Sequence, residues 1–309
     1  MLASGRTERT GLRIVIAHDL SPEADRAVTA IAAAEWPPST EIRIVTSSTG
    51  IGPGPSSFAL VREARAHARA VRVSVESAHS RVASTLAAAG ISVETSIVTG
   101  RPGRAIVRDA NRFGADLIVS GARSQSPLVS TFLGSVSSEI AERARCSVLI
   151  ARVESIGRVI LAADDSRATR TAVEIAASWP VFGTTAIRVI SVASRPSNYT
   201  ASVLRADEVE DAMAESLATA REHARGPIDA ALRRLAAAGR EVDGRVRVGD
   251  PAEEIMAAAR EWPADLIVLG ASGTSLVRRL ILGSVARTVL EGSSSSVLIA
   301  RRPVGPRAT

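Results

Sequence analysis

The chain has 309 residues, 46% hydrophobic and 23% charged, which suits roughly two soluble domains of ordinary size. All 38 of its basic residues are arginine, and the lack of lysine excludes a lysine-dependent phosphate loop, a Schiff-base lysine and a Ser-Lys hydrolase. The net charge of +6 comes from arginines scattered among acids, and aromatics are only 3%, so nucleic acid is not an expected partner.

The opening MLASGRTERTGLR has no apolar core of a signal segment, and no apolar run nears the roughly 18 residues of a membrane span. One cysteine, Cys146, cannot form an internal disulfide, so the expected setting is reducing and cytoplasmic, without a membrane partner. Ile14–Ala17 reads as the first strand. Asp19-Leu20-Ser21-Pro22 then caps a helix to about Ala34, with Ser21 as N-cap and proline next. Ile42–Thr46 is the second strand, and SSTGIGPGPSS is a loop by composition. A long helix follows to about Ala89, with Val61, Ala64, Ala68, Val71, Val75, Ala78 and Val82 spaced by three and four. Ile91–Ile97, Leu117–Ser120 and Ser147–Ala151 are further strands; Arg104–Phe113 is helical and Gly134 begins the last helix.

This pattern then repeats. Ala115–Arg152 returns as Ala264–Arg301, 149 residues later, and LRIVIAHDLSPEADRAV corresponds to GRVILAADDSRATRTAV. A repeat this long means two copies of one domain, divided near Val153–Ile156 into residues 1–153 and 154–309. In the second copy strands fall near 158–163, 186–192, 241–247, 266–269 and 296–300. The long helix there spans roughly 203–238, where Gly226-Pro227 should kink or interrupt it. Strands alternating with helices predict a parallel, doubly wound α/β sheet whose loops after strands one and four meet at its carboxyl edge.

At that edge the second copy carries DLIVLGASGTSLVRRLILGS, with Gly270, Gly273, Gly283 and Ser284 after an apolar strand. Glycines admit close backbone approach, and a Gly-Ser pair opening a helix offers free amides and the positive helix end, which suits phosphate. The same residues also serve an ordinary strand–loop–helix turn. Asp164, after strand one, can accept from a ligand hydroxyl or amino group, or cap a helix; Asp19 holds its place in the first copy.

Together with the DLIV strand, the VLIAR end strands and the duplication, these residues resemble the universal stress protein family, over almost the whole chain. The resemblance implies two tandem Rossmann-like (adenine nucleotide alpha hydrolase-like) domains, each a five-stranded parallel sheet with helices on both faces. It implies ATP as cofactor, with Mg²⁺ as a candidate companion of the phosphates. The family's signature of Gly, two residues, Gly, nine residues, Gly and Ser or Thr is complete at Gly270, Gly273, Gly283 and Ser284. Asp164 takes the adenine-side place, flanked by Ala162, Val192, Leu269 and Val285. The first copy keeps Asp19, Gly121, Gly134 and Ser135 but has Ser124 for the second glycine, and Ser47 for Val192. Whether that half binds ATP is left open by the sequence.

The four histidines show no metal-ligand spacing. His67, His79 and His223 lie among arginines on the long helices and are expected to be solvated; His18 is expected to pack or contact near the cleft. No nucleophile elbow or paired acids point to catalysis. The expected function is therefore a nucleotide-dependent regulatory module of the stress response. The alternatives are a slow ATP-hydrolysing enzyme and a structural stress protein with a vestigial cleft. The resemblance further implies that the apolar end strands pair the two domains as a pseudo-dimer, and it leaves room for a homodimer.

Overall fold

The computed structural model of the protein describes residues 11–48, 58–122, 133–194, 206–271 and 282–302, with side chains in the two long helices from 69 and 213 onward. The chain divides between Glu154 and Ser155 into two compact units. The first contains strands β1 (Arg13–Ala17), β2 (Glu41–Ser48), β3 (Ser92–Thr99), β4 (Leu117–Gly121) and β5 (Ser147–Ala151). Its helices are α1 (Pro22–Ala32), α2 (Phe58–Ala88), α3 (Pro102–Phe113) and α4 (Ser135–Arg143). The second repeats this plan with β6 (Arg158–Ala162), β7 (Ala186–Ala193), β8 (Glu241–Val248), β9 (Leu266–Gly270) and β10 (Ser296–Ala300). Its helices are α5 (Arg167–Ser178), α6 (Ala206–Ala236), α7 (Pro251–Glu261) and α8 (Ser284–Gly292).

Within each unit the strands are parallel, ordered β3-β2-β1-β4-β5 in the first and β8-β7-β6-β9-β10 in the second. The central strands are buried on both faces: Ile14, Val15 and Ile16 in β1 and Val159, Ile160 and Leu161 in β6 have no exposed surface. That is the signature of a parallel sheet between two helix layers. In the first unit α1 packs with α2 and α3 with α4; in the second α5 pairs with α6 and α7 with α8. Each fully buried Val, Ile or Leu stabilises by about 1.5–3 kcal/mol, so the β1 and β6 runs alone anchor their units.

Local chemistry sets the helix starts. Ser21 Oγ accepts from the Ala24 amide at 3.2 Å with Pro22 at the first turn, and Ser166 Oγ accepts from the Thr169 amide at 3.1 Å. Asp250 Oδ1 caps α7 through the amides of Ala252 and Glu253, at 2.9 and 3.0 Å. Helix α3 ends on Gly114 in the left-handed region, φ 72°, where a Cβ would be strained.

One expectation about the elements is corrected. Gly226-Pro227 does not interrupt α6, which continues from Ala206 to Ala236 with Pro227 inside it. Pro227 is buried there, and one missing amide bond costs less than leaving the helix's apolar face unpacked. The apolar face of α2 is buried at Val75, Ala78, Val82 and Leu86 but not at Val71, which is 39% exposed. Arg101, at the N-cap of α3, and Arg104, Arg108 and Arg112 share one exposed face, and acids stand among them as expected, since Arg101 and Arg104 both pair with Glu139 at 3.3 Å. The same positions around α7 hold Asp250, Glu253, Ala257 and Glu261. The element bounds otherwise agree to within three residues, as end turns fray or tighten. Of the expected SSTGIGPGPSS loop, Ser47 and Ser48 extend β2, and residues 49–57 lie outside the described residues.

Candidate functional site

Strands β6 and β9 are neighbours, with Leu161 beside Val268, yet their following helices, α5 and α8, belong to different helix pairs. The chain therefore parts at their carboxyl ends, where doubly wound sheets form a crevice. A cleft of about 610 Å³ lies there, entirely within the second unit. Ala162, Asp164, Val192, Leu269, Gly270, Gly283, Ser284 and Val285 all line it, brought together from four segments. Gly273 and Ser124 lie outside the described residues.

The walls come from ordered elements. Ala162 is held beside Ile190 in the β6–β7 register, and the Ala163 amide donates to the Ile190 carbonyl at 2.8 Å. Val192 lies two residues further along β7, while α6 closes one side with His223, Ala224 and Pro227. His223 is exposed, as expected from its position among arginines. Leu269 is 3% exposed, so the floor is apolar.

Asp164 is held by the start of its own helix. Its Oδ1 accepts from the Ser166 amide at 3.0 Å and from the Thr169 hydroxyl, which in turn accepts from the Asp164 amide at 3.0 Å. Its other oxygen, Oδ2, has no hydrogen-bond donor among the described residues. Ser166 caps α5, and Asp164 shapes the same turn while lining the cleft.

The opposite end is the start of α8. Gly283 is the N-cap and, having no side chain, supplies no cap; the first helical bond runs from the Arg287 amide to the Gly283 carbonyl at 2.9 Å. The amides of Ser284, Val285 and Ala286 have no acceptor among the described residues, and all three residues line the cleft. A helix start of this kind carries about half a positive charge. No arginine lines the cleft among the described residues, so an anion there would be met by backbone dipoles.

The glycines have different reasons. Gly283 has φ −63° and ψ 157°, a conformation open to any residue, so its backbone does not require glycine. Gly270 lines the cleft with its backbone, but a Cβ there would lie 2.5 Å from Ala168 Cβ and 2.7 Å from its carbonyl carbon. Its missing side chain lets α5 pack onto β9. Gly121 repeats this in the first unit, 2.4 Å from the Glu23 carbonyl oxygen.

In the first unit Asp19 follows β1, Gly121 ends β4, and Gly134 and Ser135 begin α4, again without a side-chain cap. Asp19 Oδ1 accepts from the Ser21 amide at 3.2 Å. Two buried histidines lie behind this turn. His79 is corrected from the solvated role expected of it: it is 3% exposed, on the same helix face as Val75, Ala78 and Val82. Thr46 Oγ1 donates to the His18 carbonyl at 2.7 Å and so accepts from His79 Nε2, also at 2.7 Å. His18 Nδ1 accepts from the Leu20 amide at 3.3 Å, which leaves Nε2 to donate to Asp25 Oδ1 at 3.0 Å. Burial, and then His18 nearby, hold the His79 imidazole below its usual pKa, against an opposing pull from Glu76. The i, i+3, i+4 spacing of 75, 78 and 79 carried the signal for this burial. Cys146 is buried just before β5.

The fold and these helix starts define the chain as two tandem Rossmann-like α/β domains. The sequence profile of the universal stress protein family matches it twice, at residues 12–152 and 155–301, and the chain belongs to that family. Its relatives include a universal stress protein of Synechocystis sp., 44% identical over 20% of this chain and 40% of that protein. Two more come from Methanocaldococcus jannaschii: one 42% identical over 18% of this chain and 32% of its own length, the other 31% over 26% and 50%. The matched stretches thus span a third to a half of those relatives. Among solved structures, a universal stress protein from Archaeoglobus fulgidus superposes with a TM-score of 0.62 at 22% identity, covering 94% of this chain and 97% of that one. One from Pseudomonas aeruginosa gives 0.57 at 17%, covering 94% and 93%.

Proposed function

We propose that the second unit binds ATP without consuming it, as a nucleotide-dependent regulatory module of the stress response. The observation that carries this reading is the uncapped start of α8, whose amides at Ser284, Val285 and Ala286 line one end of the cleft. Phosphate oxygens suit those donors, and the omission of a side chain at Gly283 leaves room before them. Val192, Leu269 and Ala162 offer an apolar surface to a flat base, and Asp164 Oδ2 an acceptor for its amino group or a ribose hydroxyl. The volume, about 610 Å³, falls within the usual range for a small-molecule site.

No group of three His, Cys, Asp or Glu that could hold a metal occurs among the described residues, so Mg²⁺ is carried only as a companion of the phosphates. No helix among the described residues is long and apolar enough to cross a membrane. We place the protein in the cytoplasm, without nucleic acid as partner. The test is an equilibrium titration of the full chain with ATP, followed by recovery of the nucleotide. Saturable binding at micromolar concentration with ATP recovered intact is expected. No saturation below millimolar rejects the reading, and steady release of phosphate replaces it with the ATP-hydrolysing alternative.

A further inference from the structure

The second unit's cleft can be compared position by position with the corresponding carboxyl edge of the first unit's sheet, termed the first cleft. The registers align β1 and β2 with β6 and β7 at an offset of 145, since Ala17 pairs with Val45 as Ala162 pairs with Ile190. From the long helix onward the offset is 149: Val75, Ala78, Val82 and Leu86 are buried as are Ala224, Pro227, Ala231 and Leu235. On this alignment the apolar wall of the second cleft, Val192, Leu269 and Ala286, becomes Ser47, Ser120 and Ser137 in the first.

These hydroxyls are committed to the protein. Ser120 and Ser137 are 6% and 4% exposed, share a hydrogen bond of 3.0 Å, and Ser137 donates to the Gly121 carbonyl at 3.0 Å. Ser47 donates to the Gly100 carbonyl at 3.1 Å. They therefore replace apolar contact without offering free donors to a base. A flat purine ring gains its affinity largely from apolar area removed from water, and losing one such side-chain contact weakens binding on the order of tenfold. In addition, His18 stands where the second cleft has Ala163, and its ring is held by Leu20 and Asp25.

We infer that the first cleft does not accept an adenine ring, so that the chain takes up one adenine nucleotide, in the second cleft, and that Ser47, Ser120 and Ser137 set this difference. The inference rests on the nucleotide reading of the second cleft and adds its stoichiometry and its determinants. Calorimetric titration of the full chain with ATP tests it. One equivalent is expected, its affinity lowered about a hundredfold by Gly283→Arg. Two equivalents in the unaltered chain overturn the inference and leave the nucleotide reading of the second cleft standing. No equivalent at all overturns both.

The triple variant Ser47→Val, Ser120→Leu, Ser137→Ala carries the second unit's own residues and is expected to bind a second equivalent. Should it stay at one while melting as a folded protein, the assignment of these serines fails. The reverse exchange, Leu269→Ser, tests the same claim if the triple variant does not fold: ATP binding to the second cleft is expected to weaken at least tenfold, and unchanged affinity overturns it.

Discussion

The two units share one fold yet differ where the ends of β1 and β6 meet their following helices. Behind that turn the second has Ala163, Ser191 and Ile228, and the first has His18, Thr46 and His79. The second turn is held by Thr169 on Asp164; the first rests on a histidine acceptor and places Leu20 at φ 64°, a left-handed conformation that costs a branched residue about 1 kcal/mol. Duplication thus preserved the scaffold, with its close helix packing at Gly121 and Gly270, while the cleft walls changed in polarity. What the sheet needs and what a ligand would need are separable in this chain.

The largest expected effect separates them directly. Gly283→Arg places a side chain before the α8 amides at a backbone conformation open to any residue. ATP affinity is expected to fall about a hundredfold, roughly 2.7 kcal/mol, with the thermal midpoint nearly unchanged. Gly270→Ala is the opposite case, since its Cβ would meet the Ala168 backbone at 2.7 Å. Denaturant titration should show a loss of about 1–3 kcal/mol. Equal behaviour of the two variants would erase the distinction between a ligand glycine and a packing glycine.

Val192→Ser gives the second cleft the first cleft's residue, and calorimetry should show ATP binding weakened about tenfold. The smallest effect concerns pH. His79 titrates below its unfolded value because of burial first and His18 second. A folded-state pKa below the unfolded one means the stability is complete above about pH 6.5 and is lost as pH falls from there toward the folded value. The first unit should melt earlier at pH 5.5 than at 7.5, by roughly 2–4 °C for each kcal/mol lost. His79→Ile, which gives it the residue found at position 228, should flatten that dependence; a dependence that survives assigns it elsewhere.

The fold was legible because the central strands are continuous apolar runs bounded by Asp, Gly or Ser, a pattern that only two-sided burial requires. The duplication made each half a check on the other. Single-residue environments were harder to read. His79 looked solvated because its neighbours in sequence are charged, although its helical phase placed it with Val75 and Val82. Gly226-Pro227 looked like a break because sequence alone cannot weigh one lost bond against the packing of Ala224, Ile228 and Ala231. The exposed spacing of Arg104, Arg108 and Arg112 on α3 is legible in the sequence, but the pairing of Arg101 and Arg104 with Glu139 of α4 needed the fold. At the cleft, the meeting of Asp164 with Gly283–Val285 followed from strand order, whereas the packing role of Gly270 needed the position of Ala168.

The most direct test of the central claim is a crystal structure of the full chain grown with ATP. The account predicts phosphates against the amides of Ser284 to Ala286 and a base between Val192 and Leu269, with the γ-phosphate intact. A second cleft empty of nucleotide at millimolar ATP, or ATP bound elsewhere on the chain, contradicts it.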